Sequence, residues 1–175
     1  REKIFDIEDE IAHCLKTTII HASLSQNLFL QGYAPVINLF NFLSSGFKPE
    51  KPRQLVDIDI ITPANYANFW KTGEGLVITQ EMRDKFPKPV KAPAKEIKIF
   101  VSGDERYSIY KQIKQGVLEA GQTLKPYNAV VDWIVPEQYL SPNSPIIENT
   151  KMIEFLTENM NKGNYDALAI MVNYT

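Results

Sequence analysis

The chain has a single cysteine, Cys14, so no disulfide can close within it and cysteine usage gives no sign of redox compartment. It also lacks charge of one sign: 19 basic residues stand against 21 acidic ones, a formal net charge of −2. That balance supplies no basic field for nucleic acid or for an anionic membrane surface. No apolar run approaches the roughly 20 residues that span a bilayer. The opening REKIFDIEDE is charged and has no apolar centre, so no secretory signal is expected within this sequence. Only two histidines occur, His13 and His21, and no carboxylate or thiol stands at ligand spacing with both. They read as a helix and a strand histidine, and no metal or cofactor is expected. Cys14 reads as a small buried hydrophobe on a helix. Missing too are the glycine fingerprint of a dinucleotide site, a phosphate-cradling loop and a nucleophile elbow. Glu8, Asp9 and Glu10 fit the first turn of a helix rather than a catalytic carboxylate pair. The sequence therefore does not read as an enzyme.

What is present is organised around IKIFVSGDERYSIYKQIKQGVLEAGQTL, residues 97–124. Ile97, Ile99, Phe100 and Val101 form an apolar run suited to a strand buried on both faces. Ser102-Gly103-Asp104 ends it with turn chemistry. Ile109, Ile113, Val117, Ala120 and Leu124 then recur at three- and four-residue steps, which predicts a helix with one apolar face. A second apolar run, Ala129 to Val135, completes a βαβ unit whose strands should be parallel. Ligands of open α/β sheets sit beyond the carboxyl ends of such strands, which marks the loop 102–108.

Elements before it follow the same logic. Asp6 is expected to cap a short helix carrying Ile7, Ile11 and Leu15. Thr18 to Leu24, rich in β-branched residues, predicts a strand. Leu28, Tyr33, Val36, Leu39, Phe40 and Leu43 predict a helix that Gly46 terminates, with Pro35 near enough to its start to be tolerated. Residues 55–61 predict another strand, and Thr62-Pro63 opens a short helix to Trp70. Residues 83–95, RDKFPKPVKAPAK, predict an extended proline-rich spacer and a domain boundary. Beyond the βαβ unit, PEQYLSPNSPII (136–147) is a long loop, either a lid or plain surface. A helix over 149–161, capped by Asn149 or Thr150, turns Met152, Ile153, Leu156 and Met160 inward. Residues 166–172 predict the last strand.

Two groups of residues carry a resemblance. The order SQN-x-x-x-QGY, helix, D-x-x-IITPANYANFW at 25–70 resembles the carboxyl end of type I periplasmic binding proteins, the sugar-binding family that shares its fold with LacI-type regulators. Residues 97–172 resemble the amino-terminal part of the same family, through the strand, the loop with a late aromatic, the helix with Gly116 at its middle, and YDALAIMV. An ending thus precedes a beginning: residues 1–82 resemble the tail of one binding domain and 96–175 the head of another, joined by 83–95. A permuted single unit has the same order.

The resemblance implies an α/β fold, a parallel sheet with helices on both faces, in the Rossmann-like three-layer lobe of that family. It implies a solute-binding module for a small polar ligand, a sugar or sugar derivative, serving a membrane transporter or a signalling partner. It also implies an extracytoplasmic, periplasmic setting for the full-length protein. Gln26 matches the family's hinge glutamine. In the loop after the first strand, Tyr107 falls at an asparagine position, Ile109 at the first stacking aromatic and Tyr110 at the second, so one aromatic is kept. Asp104 and Arg106 offer polar contacts from that loop, and Asn173 is placed by the end of the last strand. Neither half supplies a whole second lobe, so self-association or a further part of the protein is expected to complete the clamp. The other readings are an intracellular LacI-like regulator and a flavodoxin-like or response-regulator-like domain. A basic helix-turn-helix ahead of the binding domain would mark the regulator, and 76–96 is too short and proline-rich for one. Asp104-Glu105 only partly matches the acidic cluster of a response regulator.

Overall fold

The apolar run at 97 becomes the centre of a parallel sheet. In the computed structural model, which describes residues 5–51, 53–108, 110–141 and 147–171, Ile97–Ser102 is flanked by Ala129–Ile134 on one side and Ala167–Ile170 on the other. Numbering strands and helices in chain order, these are β5, β6 and β7. They follow α1 (Asp9–Lys16), β1 (Ser23–Ser25), α2 (Leu28–Ser45), β2 (Asp59–Ile61), β3 (Trp70–Lys71), β4 (Gly75–Leu76) and α3 (Gln80–Asp84). Helix α4 (Tyr110–Leu124) links β5 to β6, and α5 (Asn149–Gly163) precedes β7.

The sheet has helices on both faces, which is why β5 shows no apolar–polar alternation. Ile97, Ile99 and Val101 turn to one side and join Phe29, Val36, Ile37 and Phe40 of α2 and Val117, Ala120 and Leu124 of α4 in the main core. Phe100 turns to the other side, against Phe155 of α5 at 6.3 Å between ring centroids and Tyr165 at 5.5 Å. Tyr165 in turn donates to Asp132 Oδ2 at 2.6 Å across the sheet.

Helices α2 and α4 touch backbone to backbone. A Cβ built on Gly32 would lie 2.0 Å from the Ile113 carbonyl oxygen, and one on Gly116 would lie 2.0 Å from that of Phe29. Only glycine permits that approach. Asn27, itself at φ 50, caps α2 by accepting from Leu30 N, and Gly46 at φ 72 closes it as expected.

Several expectations are corrected. Residues 18–22 are not strand: Ile19 N donates to Cys14 O at 2.9 Å and Thr18 N to Leu15 O at 3.1 Å, so the end of α1 takes up these backbone groups. Only Ser23–Ser25 pairs, and it pairs antiparallel with Asp59–Ile61. Strands β1 and β2 thus form a separate two-stranded sheet rather than extending the parallel one. Its β1 turns Ser23 and Ser25 inward and Leu24 outward. The short helix after Thr62 is a single 3-10 turn, Tyr66–Asn68, followed by the β3–β4 hairpin. Asp6 does not cap α1, whose N-cap position is Glu8. Within α5, Leu156 is buried but Ile153 faces solvent, and the N-cap is Glu148 without a side-chain bond. Cys14 is half-buried. Ile109, Val172 and Asn173 lie outside the described residues.

Around the proline-rich stretch, α3 ends at Asp84, and residues 87–95 run without helix or strand. Phe86 enters the main core, 5.6 Å from Phe29 and 5.2 Å from Tyr33 between ring centroids. The Asn41 amide, buried on α2, donates to Lys88 O and accepts from Val90 N, both at 3.0 Å. Residues on both sides of the stretch therefore share one core.

Candidate functional site

Strand β5 delivers its loop to the carboxyl edge of the parallel sheet. Gly103 there lies against the Trp133 indole so closely that a Cβ would fall 1.9 Å from the ring. Asp104 is 1% exposed and Arg106 7% exposed. The Arg106 side chain donates from Nε to both Asp104 oxygens at 3.1 Å and from a terminal nitrogen to Oδ2 at 2.7 Å, and Arg106 N donates to Oδ1 at 2.9 Å. The guanidinium lies 4.0 Å from the Tyr139 ring centroid and 5.9 Å from that of Tyr107. The Asp104 hydrogen bonds raise the Arg106 pKa above its ordinary value.

Glu105 between them points elsewhere. It accepts from Lys114 Nζ at 2.6 Å and from Trp133 Nε1 at 2.9 Å, and its backbone N donates to Tyr139 O at 2.8 Å. The Lys114 hydrogen bond foremost, with the Trp133 one, holds its carboxyl below the usual range although burial opposes this. The 3-10 turn Glu137–Tyr139 and the β5–α4 loop are thus bound to each other. Tyr107 is 53% exposed and meets Tyr110 edge to face at 6.0 Å.

Gln26 sits apart from this loop, at the end of β1. Its backbone N and its side-chain amide donate to the two Asp6 oxygens at 2.9 and 3.1 Å. Asp6, at φ 61, is fixed further by accepting from Ser23 Oγ at 2.6 Å through its carbonyl. A groove of about 510 Å³ runs from Asp6 past Glu8 and Trp70 to Ser108, Lys111 and Gln112 at the start of α4. Among the described residues, hydrogen bonds cross it from Ser108 Oγ to Glu8 Oε2 at 3.2 Å and from Gln112 Nε2 to Ile7 O at 2.8 Å. Asp9 on its rim accepts from Trp70 Nε1 at 2.8 Å and Gly73 N at 3.2 Å, which lowers its pKa, the Trp70 bond most.

The structure therefore brings Asp104, Arg106 and Tyr107 together on one loop, with Tyr110 beside Tyr107 at the first residue of α4. Among the described residues Gln26 meets Asp6, and the groove leads on from Asp6 to Ser108 at the end of that loop. None of these five lines the groove among the described residues. Tyr139 is the residue sequence reasoning missed; it lies in the proline-rich loop, with no periodic neighbour to signal that its ring covers an arginine. Among the described residues, no group of three or more His, Cys, Asp or Glu side chains is placed to hold a metal ion. No protein-family model matches the chain, and no curated protein matches it.

Proposed function

We propose that this chain belongs to a solute-binding module that takes a small polar ligand, a sugar or sugar derivative, at the β5–α4 loop. In this reading the sheet and its helices are part of a lobe of the type I periplasmic binding-protein kind, and the ligand is captured outside the cell for a transporter or a signalling partner. The observation that carries the reading is Tyr107: a large aromatic ring, half exposed at the carboxyl edge of a parallel sheet and set edge-on to Tyr110. An exposed ring offers a flat apolar face, and its hydroxyl offers polar contact to a ligand that carries both kinds of surface. The sequence resemblance of 25–70 and 97–172 supports the same class. Asp104 and Arg106 are bound to one another, so the reading gives ligand contact to the tyrosines and gives Gln26 a supporting place beside Asp6.

Isothermal calorimetry of the protein with a panel of monosaccharides and amino sugars, beside Tyr107→Ala, Tyr110→Ala and Gln26→Ala, tests this. A net hydrogen bond contributes only about 0.5–1.5 kcal/mol, while an unpaired buried polar group costs about 1–3. A tyrosine truncation at the site is therefore expected to weaken binding at least tenfold. Binding that is unchanged in both tyrosine variants, or no binding across the panel by the intact protein, rejects the reading.

A further inference from the structure

We infer that Arg106 is a positioning residue that latches the β5–α4 loop to the 136–140 segment, so that the two loops open and close as one body. The inference rests on the proposed function only for what the loops hold, and it stands on its own geometry. Arg106 reaches backward and outward at once. Backward, its guanidinium and its backbone N close a four-bond clasp on Asp104, two residues earlier in the same loop. Outward, its guanidinium carbon lies over the Tyr139 ring, 4.0 Å from the centroid, on the next βα connection. A second link runs beside it, from Glu105 N to Tyr139 O at 2.8 Å. A third passes through Glu105 to the indole of Trp133 on β6, which leads into the 136–140 segment.

Arginine suits this position for two physical reasons. A guanidinium presents a planar fork that can satisfy a carboxylate along its edge while its face stacks on an aromatic ring. Lysine, a point charge on a flexible stem, cannot do both. The clasp is buried, with Asp104 at 1% and Arg106 at 7% exposure, so neither charge is available to a solute without breaking the pair. The role left to the pair is to fix where Tyr107 and Ser108 stand, the residues that follow directly on Arg106. Opening the latch loosens both loops together because each of the three links joins the β5–α4 loop to Tyr139 or to the strand leading to it, while Lys114 of α4 keeps its hold on Glu105.

Hydrogen exchange by mass spectrometry on the ligand-free chain reads this directly, with Trp133 emission in a Trp70→Phe background as a second reporter. Tyr139→Leu removes the ring face but keeps apolar bulk. It is expected to speed exchange of residues 103–108 and 136–141 together, on the order of tenfold, while residues 113–120 of α4 keep their protection. Tyr139→Phe keeps the face and is expected to exchange like the parent. Arg106→Lys is expected to match Tyr139→Leu. Arg106→Ala takes the guanidinium away from the buried Asp104 carboxylate and can unfold the chain outright, so the other three variants decide the outcome. Acceleration confined to 103–108, equal loosening of α4, or full protection in Arg106→Lys overturns the inference. None of these readouts involves a sugar, so failure of the latch and failure of the ligand reading are told apart.

Discussion

Glu105 shows how much a single loop residue can be asked to do. It accepts from Lys114 and from the Trp133 indole, and both bonds use its carboxylate as the acceptor. The Lys114 hydrogen bond, first among the causes, lowers its folded-state pKa below the ordinary 4.5. A depressed carboxyl pKa contributes stability that is complete above the unfolded value and is lost as pH falls through the folded one. Acid titration of a Trp70→Phe protein is therefore expected to show a Trp133 emission change centred below pH 4.5, and Glu105→Gln is expected to abolish it. A midpoint above the ordinary glutamate value contradicts the assigned bonds. At this scale the sequence was legible in part. Turn residues after an apolar strand located the loop, but Asp104 and Arg106 read as polar contacts for a ligand and Asp104-Glu105 as a partial acidic cluster. Their separate partners, Arg106 for Asp104 and Lys114 with Trp133 for Glu105, depend on side-chain direction within a nonperiodic segment. No spacing rule encodes that direction.

The long helices α2 and α4 were read well because their signal is repeated, and short strands poorly because theirs is not. Helix α2 shows Leu28, Tyr33, Val36 and Phe40 buried, and α4 shows Ile113, Val117, Ala120 and Leu124, all foreseen from three- and four-residue steps. The run from Thr18 promised a strand through its β-branched residues, yet hydrogen bonds to the end of α1 took Thr18 and Ile19 first. β-propensity yields to such local competitors because it mainly reflects packing context. The meeting of α2 with α4 had half a signal. Gly116 stood out at the centre of its helix, whereas Gly32 had no assigned task until the two helices were seen in contact. Each glycine faces a carbonyl oxygen of the other helix, and backbone cannot rotate aside as a side chain can. Gly32→Ala and Gly116→Ala are each expected to cost about 1–3 kcal/mol or more, the range of overpacked interiors, despite alanine's better helix propensity. Urea denaturation measures it, with a fall in midpoint at unchanged slope. A gain in stability from either substitution would mean the helices do not cross where described.

Taken whole, the molecule has one main core to which distant stretches contribute. Ile99 and Val101 of β5, Val117 and Ala120 of α4, and Phe29, Val36 and Phe40 of α2 all belong to it. A chain of residues 96–175 alone would leave the α2-facing side of that core in water. It is expected to bind a hydrophobic dye and to lose the cooperative thermal transition of the full 175 residues, and a cooperative transition in the short chain would show the division at 83–95 to be one of folding units. Circular dichroism with dye fluorescence distinguishes the two outcomes. The strand–helix–strand order of residues 97–134 was legible from periodicity, while the shared core was not, since nothing local tells a helix which sheet it will cover. The hold of Asn41 on Lys88 and Val90 changes what the spacer means to a protease. Composition offers trypsin an open substrate there, with Lys91 and Lys95 both exposed. A peptidase must draw the chain away from its support before it can cut, and around Val90 that support is two hydrogen bonds from a buried amide. Limited digestion is accordingly expected to nick after Lys95 and after the exposed Arg53 well before Lys91, and Asn41→Ala is expected to bring the Lys91 cut forward to join them.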